Sequence, residues 1–135
     1  MTVKRPWHWG IVIVSDPDLG GQIPEVDPES RVSANESGLI VLVRHAQDVE
    51  DFNGDLEWAE AEVTVIHRSE APPTLDGRTQ VFEGRLETPS GRLQIGDADD
   101  EVVMNGLTTA SFVRVGSPSH DMDSPSRVWI DVWAA

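Results

Sequence analysis

Short runs of apolar and β-branched residues, separated by stretches rich in Gly and Pro, constrain the fold of this chain more than any other feature. Such runs are typical of strands, and the one helical pattern, a turn near residues 49–58, has a poor period. The clearest predicted strands are Trp7–Val14, Gly38–Arg44, Glu60–His67, Ser111–Gly116 and Arg127–Trp133.

Two weaker strands, Thr79–Glu87 and Arg92–Ile95, flank a predicted hairpin turn at residues 88–91. The connections between strands hold too much Gly and Pro for the crossover helices of a parallel sheet. We therefore predict an all-β fold, an antiparallel β-sandwich or partly open barrel of about seven strands, in a single domain covering residues 1–135.

The absence of cysteine excludes disulfides, thiolate metal ligands and cysteine nucleophiles. The first residues lack the apolar stretch and cleavage site of a signal peptide. No apolar run approaches the ~20 residues of a membrane helix. We expect a soluble, cytoplasmic protein.

Acidity is the strongest feature of the composition, with 24 acidic against 10 basic residues and a formal charge of −14. Residues 16–62 alone hold 13 acids and two arginines, a formal charge of −11. This charge should repel nucleic acid and anionic membranes and attract basic proteins or cations. Adaptation to high salt is an equally open interpretation, because the chain has a single lysine, Lys4.

The densest acidic stretch predicts a contact surface for a basic protein partner, with a tryptophan as its anchor. Its candidate partner-binding residues are Asp48, Glu50, Asp51, Asp55, Glu57 and Trp58.

Two other acidic segments are candidates for a cation site on oxygen ligands. One is the group Asp97, Asp99, Asp100 and Glu101, which reads equally well as a solvated loop. The other, Asp16–Asp27, has part of the EF-hand spacing, but Gly20 offers no side-chain oxygen and no helices flank it. Turn chemistry explains this second segment better than calcium binding.

No catalytic pattern stands out. The chain has no Gly-x-Ser-x-Gly motif and no glycine-rich phosphate cradle, and 24 carboxylates make any chosen acid/base pair uninformative. The four histidines have no short ligand-like spacing. We expect a non-catalytic protein without a cofactor.

The chain has five tryptophans and no tyrosine. Trp7 and Trp9 would share one face of the first strand, and Trp129 and Trp133 one face of the last, with Asp131 between them. Core packing is the favoured interpretation for Trp9. For Trp133, core packing and an exposed face that anchors a partner both stay open.

The end of the chain resembles a known family. Phe112-Val-Arg-Val-Gly116, a polar loop with Asp121 and Asp123, and Arg127–Trp133 are similar to the closing strands of the competence-associated nuclease inhibitors (Nin/ComJ) and of related actinobacterial proteins. The family pattern has an aromatic residue near Phe112 and a proline where Ala134 stands. The resemblance implies a β-sandwich and carries no catalytic residues.

The leading hypothesis is therefore an acidic protein-binding module, of inhibitor or immunity type, for a basic partner such as a nuclease. The alternatives are a sandwich that binds a small ligand or a divalent cation, an acidic salt-adapted protein of another role, and an enzyme with an unrecognised site. The oligomeric state stays open.

Overall fold

The computed structural model describes residues 1–18, 23–27, 29–46, 59–73, 77–97, 100–118 and 125–135. Within these ranges the chain forms strands and no helix, so it has no helix there that is long and apolar enough to cross a membrane. The strands are β1 (Thr2–Pro6), β2 (Ile11–Ser15), β3 (Val32–Ala34), β4 (Gly38–Leu42), β5 (Glu60–His67), β6 (Arg78–Glu87), β7 (Leu93–Gly96), β8 (Glu101–Met104), β9 (Ala110–Pro118) and β10 (Arg127–Ala134).

The strands form two five-stranded sheets that enclose one core, which confirms the predicted β-sandwich. Sheet A has the order β1-β5-β10-β9-β6, and sheet B has the order β3-β4-β2-β7-β8. Every neighbouring pair is antiparallel except β5 and β10, which pair in parallel. A parallel pair needs a long connection, and the chain between β5 and β10 supplies it with strands of both sheets.

The alternation of residue types along the strands decides which side chains form the core. In β5, Ala61, Val63 and Val65 are buried, while their neighbours are at least partly exposed. In β4, a continuous apolar run, the first four residues are all buried. Each fully buried Val, Leu or Ile side chain contributes about 1.5–3 kcal/mol to stability.

The predicted first strand is wrong in its first half. Residues 7–10 form a turn, in which the Gly10 backbone N–H donates to the Trp7 carbonyl at 2.9 Å, and strand β2 begins at Ile11. Gly10 has a φ of 66°, a conformation that glycine adopts readily. The turn takes the chain from sheet A to sheet B, so Trp7 and Trp9 do not share a strand face.

The predicted hairpin at residues 88–91 is also wrong. Strand β6 lies in sheet A and pairs with β9, whereas β7 lies in sheet B, so this turn connects the two sheets. Three strands, β1, β3 and β8, were not predicted. Each is short, and β1 and β8 contain charged residues, which interrupt the apolar pattern used to predict strands.

Candidate functional site

The six predicted partner-binding residues, Asp48, Glu50, Asp51, Asp55, Glu57 and Trp58, lie outside the described residues. The described residues on either side of them are hydrogen-bonded to each other. The Ala59 backbone N–H donates to the Ala46 carbonyl at 2.8 Å, and the Ala46 N–H donates to the Trp7 carbonyl at 3.1 Å. Ala46, which precedes these residues, and Ala59, which follows them, thus lie beside the turn that joins the two sheets.

Three of the four candidate cation ligands surround the turn between β7 and β8, and Asp99 lies outside the described residues. The Asp97 side chain is fully buried and pairs with Arg5, whose Nη2 lies 3.0 Å from Oδ1. The same Nη2 donates to the Asp100 carbonyl at 3.0 Å, and the Asp100 N–H donates to Asp97 Oδ1 at 3.2 Å. The Arg5 guanidinium therefore supplies the positive charge beside Asp97.

Glu101 belongs to strand β8, where its carboxylate accepts a hydrogen bond from the Gln94 side-chain amide. In the part of the chain that the structure describes, no three His, Asp or Glu side chains are placed to hold a metal ion.

Asp16, the first residue of the EF-hand-like segment, is buried and hydrogen-bonded to other parts of the fold. It is 3% exposed and accepts hydrogen bonds from the Ser90 backbone N–H and hydroxyl and from the Asp18 N–H, each at 2.8 Å. Burial raises the pKa of Asp16, but these hydrogen bonds and the charge of Arg92 outweigh it and hold the pKa below its ordinary value. Asp16 thereby attaches the end of β2 to the turn after β6.

The outer face of sheet A carries a cluster that the sequence did not single out. In β10, Val128, Ile130 and Val132 face the core, so Trp129 and Asp131 face outward. Trp129 lies opposite Gly116 of β9, and Asp131 lies opposite Arg114. Together with Arg78 and Gln80 of β6, these residues line a shallow pocket of about 40 Å³, hereafter the Arg–Trp pocket: Arg78, Gln80, Arg114, Gly116, Trp129 and Asp131.

A β-bulge decides which residues of β6 reach this face. The register between β6 and β9 shifts between Gln80 and Phe82. Gln80 lies opposite Gly116, and after the shift Glu83, rather than Phe82, lies opposite Arg114. Bulges of this kind turn side chains to new directions and are frequent beside functional sites.

Among the described residues that line this pocket, Asp131 is the one carboxylate, and arginines surround it. Asp131 is 5% exposed, and its Oδ1 lies 2.6 Å from Arg68 Nε, while Oδ2 lies 3.9 Å from Arg78 Nη1. The Arg78 Nη1 atom is buried and has no hydrogen-bond acceptor among the described residues. Burial and repulsion by Arg68 and Arg127 outweigh the attraction of Asp131 and lower the pKa of Arg78 below its ordinary value.

Guanidinium groups also cover the aromatic rings of this face. Arg78 and Arg127 lie 4.3 and 4.8 Å from the centre of the Trp129 ring, within the range of a cation–π contact. Trp133 is only 8% exposed, because Phe112 packs on it with 5.9 Å between ring centres and Arg114 lies 5.4 Å away. Trp133 is thus buried on the outer face of sheet A, outside the core between the two sheets.

The prediction that Trp9 packs in the core is wrong, since Trp9 is 62% exposed at the tip of the turn between the two sheets. Its neighbour Trp7 is fully buried instead, and the Trp7 indole N–H donates to the Ala61 carbonyl at 3.0 Å. Arg5 covers the Trp7 ring at 3.8 Å.

The sequence carried a partial signal for the Arg–Trp pocket. The alternation of Phe112, Arg114 and Gly116 places Arg114 outward, and the same rule places Trp129 outward in β10. The rule could not indicate that β9 and β10 pair in this register, or that a bulge brings Arg78 beside them.

Comparison with known proteins agrees with this fold. No family model matches the sequence, and no curated protein matches it. The fold is similar to that of ComJ from Bacillus subtilis, an inhibitor of the DNA-degrading activity of NucA, with a TM-score of 0.60 over 100% of this chain and 96% of ComJ, at 8% identity. It is also similar to crocagin biosynthetic protein J, with a TM-score of 0.60 over 98% of this chain and 95% of that one, at 14% identity. These likenesses confirm the resemblance indicated by the terminal strands, as a resemblance of fold.

Proposed function

We propose that this chain is a non-catalytic protein-binding module of inhibitor type, which binds a basic protein partner, such as a nuclease, through its acidic surface. The observation that carries the proposal is the large surplus of acidic over basic residues in the chain. The full-length likeness to ComJ, an inhibitor of a DNA-degrading activity, supports the same class of function.

Most of the arginines are already engaged. In the described part of the chain, seven of them form ion pairs with six carboxylates, which are Asp18, Glu62, Glu83, Glu87, Asp97 and Asp131. Lys4, Arg31 and Arg44 are the other basic residues, against 18 further carboxylates. The chain cannot neutralise this surplus from its own residues, and a basic partner would do so.

The contact surface in this proposal is the acidic stretch with Asp48, Glu50, Asp51, Asp55 and Glu57, and Trp58 is its aromatic anchor. The stretch holds five carboxylates and no basic residue between positions 47 and 58. Charge complementarity mainly accelerates encounter, and a buried aromatic side chain slows dissociation. Trp58→Ala should therefore raise the dissociation rate more than it changes the association rate.

The test starts with affinity capture from the native lysate and purification of the captured protein. Association is then measured across a salt series for the wild type and for the triple variant Asp51→Asn, Asp55→Asn, Glu57→Gln. We expect slower association for the variant and for the wild type at higher salt, because screening shortens the range of the charges to about 8 Å near physiological ionic strength.

A matched control changes the net charge equally at another place. Glu25, Glu29 and Glu36 are exposed acids of the same acidic half of the chain, and their triple change to Gln should slow association less. If both triple variants slow association equally, the net charge of the protein, and not the acidic stretch in particular, determines the association rate. The proposal would be overturned by a captured protein that is not basic. It would also be overturned if the association rate changed neither with salt nor with the triple substitution in the acidic stretch.

Salt adaptation is the competing interpretation of the same charge. It predicts that added salt raises the free energy of unfolding of the wild type and that no basic protein is captured. Urea unfolding across the same salt series measures this directly.

A further inference from the structure

We propose that the Arg–Trp pocket on the outer face of sheet A is a binding site for a carboxylate group. The proposal goes beyond the basic partner proposed above and does not depend on it, because the pocket is positively charged and lies on a different set of residues. It rests on the local charge balance, on the donors that the pocket leaves unused and on its shape.

The local charge balance favours an anion. Four of the nine arginines of this acidic chain, Arg68, Arg78, Arg114 and Arg127, meet on this face. Arg114 is neutralised by Glu83 at 2.8 Å, but Arg68 and Arg78 share the single carboxylate of Asp131. Arg127 is held more loosely, 3.9 Å from Glu62. A bound anion would relieve the repulsion that these guanidiniums exert on Arg78.

Arg78 is the residue with hydrogen-bonding capacity to spare. Arg68 donates to Asp131, and Arg114 donates to Glu83 and to the Pro72 carbonyl. The Arg78 guanidinium approaches Asp131 only at 3.9 Å and lies over the Trp129 ring, 4.3 Å from its centre, and no described residue offers Nη1 an acceptor. A buried donor without an acceptor is unfavourable, and a ligand oxygen reached by a small movement of this side chain would satisfy it.

The shape of the pocket selects among anions. Its volume of about 40 Å³ is several times the space that one water molecule needs, which suits the three heavy atoms of a carboxylate. Gly116 opens the pocket, since a side chain there would project towards the space between Trp129 and Gln80. A planar guanidinium matches a planar carboxylate with two parallel hydrogen bonds. The carboxylates of Asp131 and Glu83 nearby disfavour a doubly charged phosphate.

The experiment follows the Trp129 indole N–H by NMR during titration with sodium acetate, against sodium chloride at equal ionic strength. We expect a saturable shift with acetate and none with chloride. A second arm uses sodium phosphate, which should shift the signal less. A shift that does not saturate, that chloride reproduces, or that phosphate produces more strongly than acetate would overturn the proposal.

Two variants test the pocket from different sides. Arg78→Gln removes the donor and should weaken acetate binding about tenfold or more, since a charge-assisted hydrogen bond is worth roughly that factor. Gly116→Val keeps every charge and fills the pocket, and it should abolish the shift. The added Cβ would meet Thr79 O at 3.5 Å, an ordinary contact.

The matched control is Arg85→Gln, on the same strand and outside the pocket, where Arg85 is largely exposed. It should bind acetate as the wild type does. Unchanged binding in both pocket variants, with folding verified by circular dichroism, would contradict the assignment of the pocket.

A third probe distinguishes two sources of the carboxylate, a protein side chain and a small free acid. This probe is a short peptide with blocked ends and one glutamate side chain. Tighter binding of this peptide than of acetate would assign the pocket to an acidic side chain of a protein. Binding of acetate without binding of the peptide would assign it to a small free acid.

Discussion

The carboxylate of Asp16 accepts two hydrogen bonds from Ser90, which lies 74 residues further along the chain. This contact joins the end of β2 in sheet B to the turn that follows β6 in sheet A. It therefore closes the sandwich at one end, and its dependence on an ionised carboxylate makes it sensitive to pH.

Asp16 should stabilise the fold at neutral pH and lose that contribution in acid. Its pKa in the folded protein lies below the ordinary value near 3.9, so its stabilisation is present above that value and disappears as the pH falls through the folded pKa. The difference in unfolding free energy between wild type and Asp16→Asn should be about 2–3 kcal/mol at pH 7 and shrink below pH ~4. Urea unfolding at several pH values measures it.

The control for this experiment is Asp18→Asn, two residues away. Asp18 is largely exposed and pairs with Arg92, and such pairs contribute about 0–1 kcal/mol. A loss at pH 7 as large in the control as in Asp16→Asn would show that the buried hydrogen bonds are not the cause.

Gly96→Ala should destabilise the β7–β8 hairpin. A Cβ at this position would lie 2.3 Å from the Asp100 carbonyl oxygen and 2.6 Å from Glu101 Cα, and backbone atoms cannot rotate away. We expect a loss of about 3 kcal/mol in unfolding free energy. Gly116→Ala, whose Cβ meets its nearest atom at 3.5 Å, should change stability by less than about 1 kcal/mol. Equal thermal midpoints for the two variants would contradict this account.

Arg5→Gln should lower the free energy of unfolding by more than the partial exposure of Arg5 suggests. The substitution leaves the fully buried side chain of Asp97 without its cation and uncovers the Trp7 ring. Removing one partner of a buried pair costs up to about 3–5 kcal/mol, and the partial exposure of Arg5 should reduce this to about 2–3 kcal/mol. The double variant with Asp97→Asn should recover part of the loss, which a double-mutant cycle measures. A fully additive cycle would exclude the coupling.

Calcium should leave the unfolding midpoint unchanged at millimolar concentration. The Asp97 carboxylate already accepts hydrogen bonds from Arg5 and from the Asp100 backbone, so a cation would have to displace both. Calcium at 100 times its dissociation constant would add about 2.7 kcal/mol. A stabilisation of that order, abolished by Asp97→Ala or Asp99→Ala, would instead establish the group from Asp97 to Glu101 as a calcium site.

The sequence by itself determined the fold class and most of the core. Alternation in β5 and the apolar run in β4 decide which side chains are buried, because a strand sends successive side chains to opposite faces. The acidity of residues 16–62 is likewise a property of composition. These features are local, so a reading along the chain recovers them.

Only the tertiary structure decided which remote residues meet. The turn at residues 7–10 separates Trp7 from Trp9, the bulge after Gln80 selects the outward side chains of β6, and the pairing of β9 with β10 and β6 brings Arg78 over Trp129. Sheets join segments far apart in sequence, and their register depends on hydrogen bonds between strands, so no local pattern encodes it. The Arg–Trp pocket is a product of that register, and for this reason the sequence alone did not predict it.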